Sequence, residues 1–451
     1  MRFTLEQIAA VTGGRLHGDG SVEVDGVTQD SRDVRPGMLF VPLVAERDGH
    51  DFIDDAVAAG ASAYLTARGV AGAGANAVEV DDTQAALTAL ASEARHRLRA
   101  VPVVGVTGSV GKTTTKDLLA AVLARDRRVW ASTRSFNNEI GVPITLLSTP
   151  ADAEAVVVEM GSRGPGHIAE LCRVARPTMG VVTTVGLSHT SELGSLAAVV
   201  SAKQELVEAL PDAADGGVAF LNTGVPEVAA MAEATKARVV TYGSGGEVRA
   251  RNLHLDDELT PRFVLHSLGG EVEVELGARG VHTVDNALAA AAVGIELGVS
   301  LDDVAAGLAQ PTLSPLRMEV MRTAGGARLL NDSYNANPLS MRAALDALAA
   351  TPAERRIAVL GTMAELGDFE AAEHAAIGAL AAELGVLVVA VDAPGYSLHE
   401  VAVTDVEGIE GALAALQDLG SLGADDAVLI KGSRVAGLER LVERLVASGD
   451  A

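Results

Sequence analysis

The chain has 451 residues, a formal net charge of −25 at pH 7 and one cysteine. Its length allows about three domains of roughly 150 residues each, and the acidic balance argues against nucleic acid and anionic membranes as partners. Because no apolar run reaches about 18 residues and the first residues lack a signal-peptide pattern, we expect a cytoplasmic protein without a membrane span.

Residues 1–98 are predicted to form a small N-terminal α/β domain. Strand-like runs at Gly37–Pro42 and Ala61–Leu65 alternate with helical patterns at Ile53–Ala59 and Ala85–Leu98. This part of the chain precedes the glycine-rich segment described next, so we interpret it as a separable unit.

The most informative segment is VVGVTGSVGKTTTK, residues 103–116, between an apolar strand and a helix predicted over Thr113–Arg125. The N–H groups of such a turn can cradle phosphates, while Lys112 supplies a cation and Thr113 a hydroxyl for Mg²⁺. The strict phosphate-loop pattern is not met, because Val106 occupies the place of the first glycine. The segment predicts nucleotide binding by Thr107, Gly108, Ser109, Val110, Gly111, Lys112, Thr113 and Thr114.

A central domain is predicted over residues 99–311, because strands and helices alternate there as in a doubly wound, mostly parallel sheet. Arg249–Leu276 alternates polar and apolar residues and predicts antiparallel hairpins. Cys172, in an apolar helical stretch, is predicted to be a core residue. The predicted parallel strands are Val129–Ser132, Ala155–Met160, Met179–Val185, Val218–Asn222 and Arg238–Tyr242, and the helices after the hairpins are Thr283–Leu297 and Leu301–Leu308.

Polar residues near the ends of these strands indicate a site at one edge of the sheet. Glu159 closes a buried strand and suits the Mg²⁺ of a bound nucleotide. His189 follows the next strand, and taken alone it is predicted to be a structural residue. Lys203, taken alone, is predicted to be an exposed lysine on a helix. However, the chain has only five lysines, so each is a candidate for chemistry that a guanidinium cannot perform, such as loss of a proton.

A linker at Gln310–Pro315 leads into a third unit, predicted over 312–451. Its strand and helix pattern predicts a C-terminal α/β domain with a Rossmann-like arrangement. The strands are predicted at Arg328–Asn331, Arg356–Leu360, Val386–Val391 and Ala427–Ile430.

These motifs resemble the Mur ligase family, the ATP-dependent amide-bond ligases of peptidoglycan synthesis, over essentially the whole chain. The resemblance rests on TGSVGKTTTK together with NNEIGVP, EMG, AKQE, HTVDNALAA, PLRME and KGSR. Two further segments, NDSYNANP (331–338) and LGTMAELGD (360–368), resemble the member that adds D-alanyl-D-alanine to UDP-N-acetylmuramoyl-tripeptide. The DNPR-type signature of the member that adds the third peptide residue is absent from the sequence.

The resemblance implies ATP and two Mg²⁺ ions as cofactors. Asn286 would bind adenine, Arg317 the phosphates and Asp332 the ribose. Thr113 and Glu159 would hold one Mg²⁺. The second would be held by His189 and by Lys203 after carbamylation, which requires a neutral amine. The implied catalytic residues are Lys112, His189, Lys203 and Arg317.

Substrate contacts are also implied by the resemblance. Thr184 stands where the family usually has Asn, and His167 stands where Glu is common. The sequence leaves open whether the third peptide residue is diaminopimelate or lysine, and we expect a monomer. The UDP-linked substrate would contact Ser31, Arg32, Asn137 and Asn138, and the C-terminal domain would contribute Tyr334, Asn335, Asn337, Lys431, Ser433 and Arg434.

The implied reaction activates the tripeptide carboxylate as an acyl phosphate, which the dipeptide amine then attacks. Two alternatives stay open at this point. Another Mur-type or a folylpolyglutamate synthetase-like ligase would share the loop, the glutamate and the lysine, although NDSYNANP and the UDP-type N-terminal unit argue against it. The second alternative is a non-catalytic nucleotide switch. The sequence has no N-K-x-D segment of the kind that recognises guanine, which disfavours a GTP switch.

Overall fold

A computed structural model describes residues 1–70, 75–187, 194–397 and 403–447. Within these ranges five β-sheets are present, with α-helices packed against them. No helix of the described part is both long and apolar enough to cross a bilayer. We call the parts built on the three largest sheets the N-terminal, central and C-terminal regions, and the domain boundaries given above stay predictions.

The N-terminal region contains a five-stranded sheet of order β2-β7-β6-β5-β4, in which only β2 runs antiparallel to its neighbour. β1 and β3 form a separate antiparallel pair. The strand predicted at Gly37–Pro42 is limited to β5, because Gly37 has a positive φ of 93° and Pro42 has no N–H to donate. The elements are β1 (Arg2–Thr4), α1 (Leu5–Thr12), β2 (Arg15–His17), β3 (Glu23–Asp25), β4 (Val27–Thr28), β5 (Leu39–Phe40), α2 (Ile53–Ala58), β6 (Ala63–Thr66), β7 (Ala77–Glu79) and α3 (Thr83–Arg97).

The central region is built on a six-stranded sheet of order β13-β12-β11-β8-β10-β9, with every neighbouring pair parallel. This confirms the predicted doubly wound arrangement. The elements are β8 (Val103–Thr107), α4 (Lys112–Leu123), β9 (Val129–Ala131), α5 (Gly141–Leu147), β10 (Ala155–Glu159), α6 (His167–Ala175), β11 (Met179–Val182), α7 (Leu196–Glu208), β12 (Val218–Asn222), α8 (Pro226–Ala229) and β13 (Arg238–Tyr242).

The predicted hairpins form a three-stranded antiparallel sheet of order β14-β15-β16. Two helices follow it and pack against α4. The elements are β14 (Arg249–Leu255), β15 (Pro261–Ser267), β16 (Gly270–Glu275), α9 (Val284–Glu296) and α10 (Leu301–Ala309).

The C-terminal region has a six-stranded sheet of order β17-β18-β22-β19-β20-β21, in which only the edge strand β17 is antiparallel. The two edge strands were not predicted, because they are short and partly exposed and so lack a long apolar run. The elements are β17 (Glu319–Arg322), β18 (Arg328–Asn331), α11 (Pro338–Ala350), β19 (Arg355–Leu360), α12 (Glu370–Glu383), β20 (Leu387–Val391), β21 (Val403–Val406), α13 (Gly408–Asp418), β22 (Asp426–Lys431) and α14 (Glu439–Ala447).

Burial explains the composition of the central strands. All residues of β8 and β10 are buried, as expected for a parallel sheet with helices on both faces. Cys172 is buried beside Met160, and this burial raises the pKa of its thiol to about 12. The prediction that Cys172 is a core residue is therefore confirmed.

The turn between β14 and β15 joins the central and C-terminal regions. Leu259, 1% exposed, belongs to the same buried cluster as Met318 and Leu330 of the C-terminal region. Beside it, Arg328 donates to Glu258 over 2.8 Å. This turn therefore attaches the C-terminal sheet to the part of the chain that precedes the linker.

We predict that Leu259→Ala lowers the free energy of unfolding by about 2–4 kcal/mol, because it leaves a cavity in a packed interface. Leu268→Ala is the matched control, since Leu268 lies in the next turn of the same sheet and is 88% exposed. It should change stability by less than about 0.5 kcal/mol. Urea unfolding of both variants measures the difference, and equal midpoints would contradict the assigned packing.

Candidate active site

The phosphate loop lies at the carboxyl edge of the central sheet. It leaves β8, which lies between β10 and β11, so the ends of three strands meet there. Gly108 and Gly111 have φ values of 145° and 86°. A Cβ at Gly111 would collide with Asn286 Oδ1, and one at Gly108 with Thr183 Oγ1. Only glycine allows the loop to approach both neighbours this closely.

Lys112 at the start of α4 folds back over the loop. Its Nζ donates to the carbonyl oxygen of Gly108 over 2.7 Å and lies 3.4 Å from that of Ser109. Burial lowers the pKa of Lys112, nearby Glu159 counters this effect and Arg317 adds to it. A phosphate that replaced the two carbonyl partners would supply the negative charge that this ammonium lacks in the loop.

Glu159, 1% exposed, is the carboxylate at the end of β10. Thr113 Oγ1 donates to its Oε2 over 2.8 Å, and Asn137 Nδ2 donates to its Oε1 over 2.8 Å. Its own backbone N–H donates to Ser132 Oγ over 3.1 Å. A hydroxyl oxygen and a carboxylate oxygen are thus adjacent, which is the pair of hard ligands that Mg²⁺ takes beside nucleotide phosphates.

Arg317, just after the linker, also contacts Thr113. Its Nη2 donates to Thr113 Oγ1 over 3.0 Å and to Ser135 Oγ over 3.3 Å. The guanidinium carbon lies 4.2 Å from the ring centre of Tyr334. Its Nε is buried and has no hydrogen-bond partner in the described structure. A guanidinium whose buried Nε is an unused donor fits an anionic ligand in the adjoining space.

Asp332 and Lys431 form a pair in the C-terminal region. Lys431 Nζ donates to Asp332 Oδ2 over 2.5 Å and to the Asn335 carbonyl over 2.8 Å, while Met318 N–H donates to Asp332 Oδ1 over 3.2 Å. Both carboxylate oxygens are therefore engaged within the protein. A ribose at Asp332, as predicted, would have to share these oxygens with their present partners.

Lys203 lies on α7 and is 1% exposed, so the reading of it as an exposed helical lysine is wrong. The pKa of Lys203 is lowered to about 7, mainly by burial and in smaller part by the positive charge of Lys112, while Glu205 acts in the opposite direction. His189, its predicted partner at a second Mg²⁺, lies outside the described residues.

A cavity of about 740 Å³ opens between the central and C-terminal regions. Most of the residues predicted to form the site line this cavity. Thr107, Gly108 and Lys203 are not in its lining, and neither are Ser31 and Arg32. The predicted residues that line it are Ser109, Val110, Gly111, Lys112, Thr113, Thr114, Asn137, Asn138, Glu159, Asn286, Arg317, Asp332, Tyr334, Asn335, Asn337, Lys431, Ser433 and Arg434.

The predicted UDP contacts do not come together in this cavity. Arg32 is exposed and makes a two-bond ion pair with Asp30, which holds the pKa of that carboxyl down at about 2. Asn138 Oδ1 accepts from Gly141 N–H over 2.9 Å at the start of α5. Asn337 similarly caps α11 by accepting from Ser340 N–H. Asn138 and Asn337 thus have structural partners, and a substrate role for them stays a prediction.

Three residues shape the loop through contacts that were not predicted, namely Thr183, Thr184 and Ser135. Val110 N–H donates to Thr184 Oγ1 over 3.2 Å, and Thr183 Oγ1 donates to the Val110 carbonyl over 2.5 Å. Ser135 contacts both Thr113 and Arg317. The signal for the two threonines was their place at the carboxyl end of the strand predicted over Met179–Val185, which the structure ends at Val182, whereas nothing local in the sequence marks Ser135.

Comparison with known proteins gives matches along most of the chain. Three family models match: "Mur ligase family, catalytic domain" over 23–95, "Mur ligase middle domain" over 106–294 and "Mur ligase, glutamate ligase domain" over 316–434. A UDP-N-acetylmuramoyl-tripeptide–D-alanyl-D-alanine ligase of Mycobacterium tuberculosis is 40% identical, over 99% of this chain and 98% of that relative.

Solved structures agree with these matches. MurF from Acinetobacter baumannii superposes with a TM-score of 0.88 at 30% identity, over 99% of both chains. MurF from Thermotoga maritima, solved in complex with ADP, gives a TM-score of 0.80 at 27% identity, over 94% of this chain and 97% of that one.

We predict that Gly111→Ala weakens nucleotide binding by about tenfold or more, equivalent to about 1.4 kcal/mol, because the added Cβ displaces Asn286 and strains the loop. Gly216→Ala is the matched control. Gly216 has a similar φ of 83°, but its Cβ would meet nothing within 4 Å. Calorimetric titration with a non-hydrolysable ATP analogue and Mg²⁺ measures both variants, and unchanged affinity in Gly111→Ala would contradict the close approach.

Proposed function

The chain belongs to the Mur ligase family and is an ATP-dependent ligase, and we propose that it joins D-alanyl-D-alanine to UDP-N-acetylmuramoyl-tripeptide. The observation that carries this proposal is the convergence of Lys112, Glu159 and Arg317 on one cavity, in a chain that matches ligases of this name over nearly its whole length. ADP in the related MurF from Thermotoga maritima supports ATP as the nucleotide.

The reaction needs activation, because a carboxylate and an amine do not condense in water at neutral pH. A carboxylate oxygen of the tripeptide attacks the γ-phosphorus of ATP, the bond to the ADP oxygen breaks, and an acyl phosphate forms. Phosphoryl transfer depends mainly on positioning and on neutralising charge. Lys112, which folds back over the loop, and Arg317, which donates to Thr113, would supply positive charge for this step.

The cavity contains side chains that could bind Mg²⁺. Thr113 and Glu159 present a hydroxyl and a carboxylate side by side, and these would hold one Mg²⁺. The ion supplies charge neutralisation on the phosphates. A second ion would be held by His189 and by Lys203 as a carbamate, formed when the neutral amine takes up CO₂ and releases a proton. Burial of Lys203 supports this modification, because it favours the neutral amine.

The second step joins the two substrates. The neutral amine of D-alanyl-D-alanine attacks the carbonyl carbon of the acyl phosphate, phosphate leaves with the former carboxylate oxygen, and the nitrogen releases one proton as the amide forms. We propose that Asn335, Lys431, Ser433 and Arg434 of the C-terminal region border the dipeptide, because they line the same cavity as the phosphate loop. Enclosure between the two regions would keep water from the acyl phosphate.

We further propose a cytoplasmic location, since ATP and a UDP-linked precursor are cytoplasmic metabolites. We also propose that the enzyme is a monomer. The alternative of another ligase loses support, because relatives from Mycobacterium tuberculosis and Escherichia coli that match 99% of the chain, at 40% and 36% identity, are UDP-N-acetylmuramoyl-tripeptide–D-alanyl-D-alanine ligases. A nucleotide switch would have no need of a tripeptide and a dipeptide together.

The test of this function is an assay with ATP, Mg²⁺, D-alanyl-D-alanine and UDP-N-acetylmuramoyl-tripeptides that carry either diaminopimelate or lysine. We expect ADP and a UDP-pentapeptide in equal amounts with at least one tripeptide, identified by mass. Omission of the dipeptide should abolish the product. ADP release that is independent of both acceptors would instead support a switch.

Lys203 gives a sharper prediction. We expect Lys203→Ala to fold but lose at least about 10²-fold in kcat, because a charged group at the reaction centre is removed. Formate or acetate should restore part of the activity, since a free carboxylate can replace the carbamate. Lys203→Arg should be no better than Ala, because a guanidinium forms no carbamate.

Two controls separate ligand replacement from other effects. Lys236→Ala removes an exposed lysine and should keep wild-type activity. Chloride at equal ionic strength should not rescue Lys203→Ala, since screening is not ligation. A fully active Lys203→Ala enzyme would remove the carbamate from the mechanism.

A further inference from the structure

We propose that Lys116 and Asp117, neighbours on α4, are positioning residues that fix Arg317 for phosphoryl transfer. The proposal rests on the function proposed above and adds two residues that have no assigned role in it. Both are nearly fully buried, and Lys116 Nζ lies 2.8 Å from Asp117 Oδ1. Each member of the pair also binds a segment that bears on Arg317: Lys116 binds the loop after β9, and Asp117 binds the linker that precedes Arg317.

Lys116 holds the loop after β9. Its Nζ donates to the carbonyl oxygens of Ser132 and Arg134, over 2.8 and 3.0 Å. The next residue, Ser135, accepts a hydrogen bond from Arg317, and Ser132 Oγ accepts from the backbone of Glu159. Lys116 therefore fixes the loop that carries one of the two hydroxyl groups on which Arg317 rests.

Asp117 holds the linker. Its Oδ2 accepts from Ser314 N–H over 2.7 Å, three residues before Arg317. Thr113, the other partner of Arg317, lies one helical turn before Asp117 on the same face of α4. The linker and the residues just after it are thus attached to α4 at two points one turn apart, first through the backbone of Ser314 and then through the Arg317 side chain.

The backbone around Arg317 needs such attachment. Leu316 and Met318, on either side of it, have φ values of 64° and 48°, which branched or bulky side chains rarely adopt. Strained backbone persists only where surrounding contacts hold it. After Arg317, the Met318 N–H donates to Asp332 of the C-terminal region. Before Arg317, the Ser314 N–H donates to Asp117 of the central region.

A purely structural ion pair would not need this arrangement. Apolar residues of similar size often replace a buried pair without loss of stability. Such a replacement would keep the packing of α4 but remove the acceptor for Ser314 N–H and the donor for the loop after β9. Stability and positioning can therefore be separated by mutation.

The test uses Asp117→Asn and the double variant Lys116→Met/Asp117→Leu, which keeps the proposal testable if a single charge change unfolds the protein. We expect kcat to fall about tenfold or more from misplacement of Arg317, while KM for ATP stays within about threefold. In the Arg317→Ala background, Asp117→Asn should cause no further loss, because the group it positions is gone. Asp126→Ala, beyond the end of α4, is the matched control and should be unaffected.

Hydrogen exchange of the peptide 311–318 gives a readout that does not depend on turnover. We expect faster exchange in Asp117→Asn than in the wild type, because Ser314 N–H loses its charged acceptor. Wild-type product formation tests the proposed function, while exchange and the variant rates test this inference. Unchanged exchange, a normal kcat, or losses that multiply in the Arg317→Ala background would each overturn it.

Discussion

The hydroxyl group of Thr113 is the contact on which the arrangement of the site depends. It donates to the buried carboxylate of Glu159, accepts from Arg317 and touches Ser135. A carboxylate buried this deeply must have its oxygens satisfied, so Thr113 and Asn137 have to remain on it. One hydroxyl therefore connects α4, the strand that ends at Glu159 and the segment that leads into the C-terminal region.

This connection explains why the central and C-terminal regions border a single cavity. Lys112 and Glu159 belong to the central sheet, whereas Asp332 and Lys431 belong to the C-terminal sheet, and Arg317 reaches from one to the other. The turn at Leu259 gives the two regions a second attachment away from the cavity. Two attachments restrict the angle between the regions, which matters because an acyl phosphate survives only where water is kept out.

The sequence predicted those parts of the fold and of the site that depend on short-range pattern. The strand, glycine turn and helix around Lys112 predicted the loop, and the end of an apolar strand predicted Glu159, because parallel strands bring their carboxyl ends to one edge. Ser135 could not be found in this way, since its contact with Arg317 depends on the strand order and on the path of the linker. Asp117 and Ser314 are almost two hundred residues apart, and only the packed structure joins them. The burial of Lys203 was likewise hidden, although the scarcity of lysine had marked it.

The central claim is that ATP activates the tripeptide carboxylate directly, and an oxygen-transfer measurement tests it. The tripeptide is labelled with ¹⁸O in its terminal carboxylate and converted with ATP and D-alanyl-D-alanine, and the released phosphate is analysed by mass spectrometry. Our account predicts one labelled oxygen in each phosphate released, because the carboxylate oxygen that attacks the γ-phosphorus leaves with it. Product formed with unlabelled phosphate would contradict the acyl phosphate and the role given to this site.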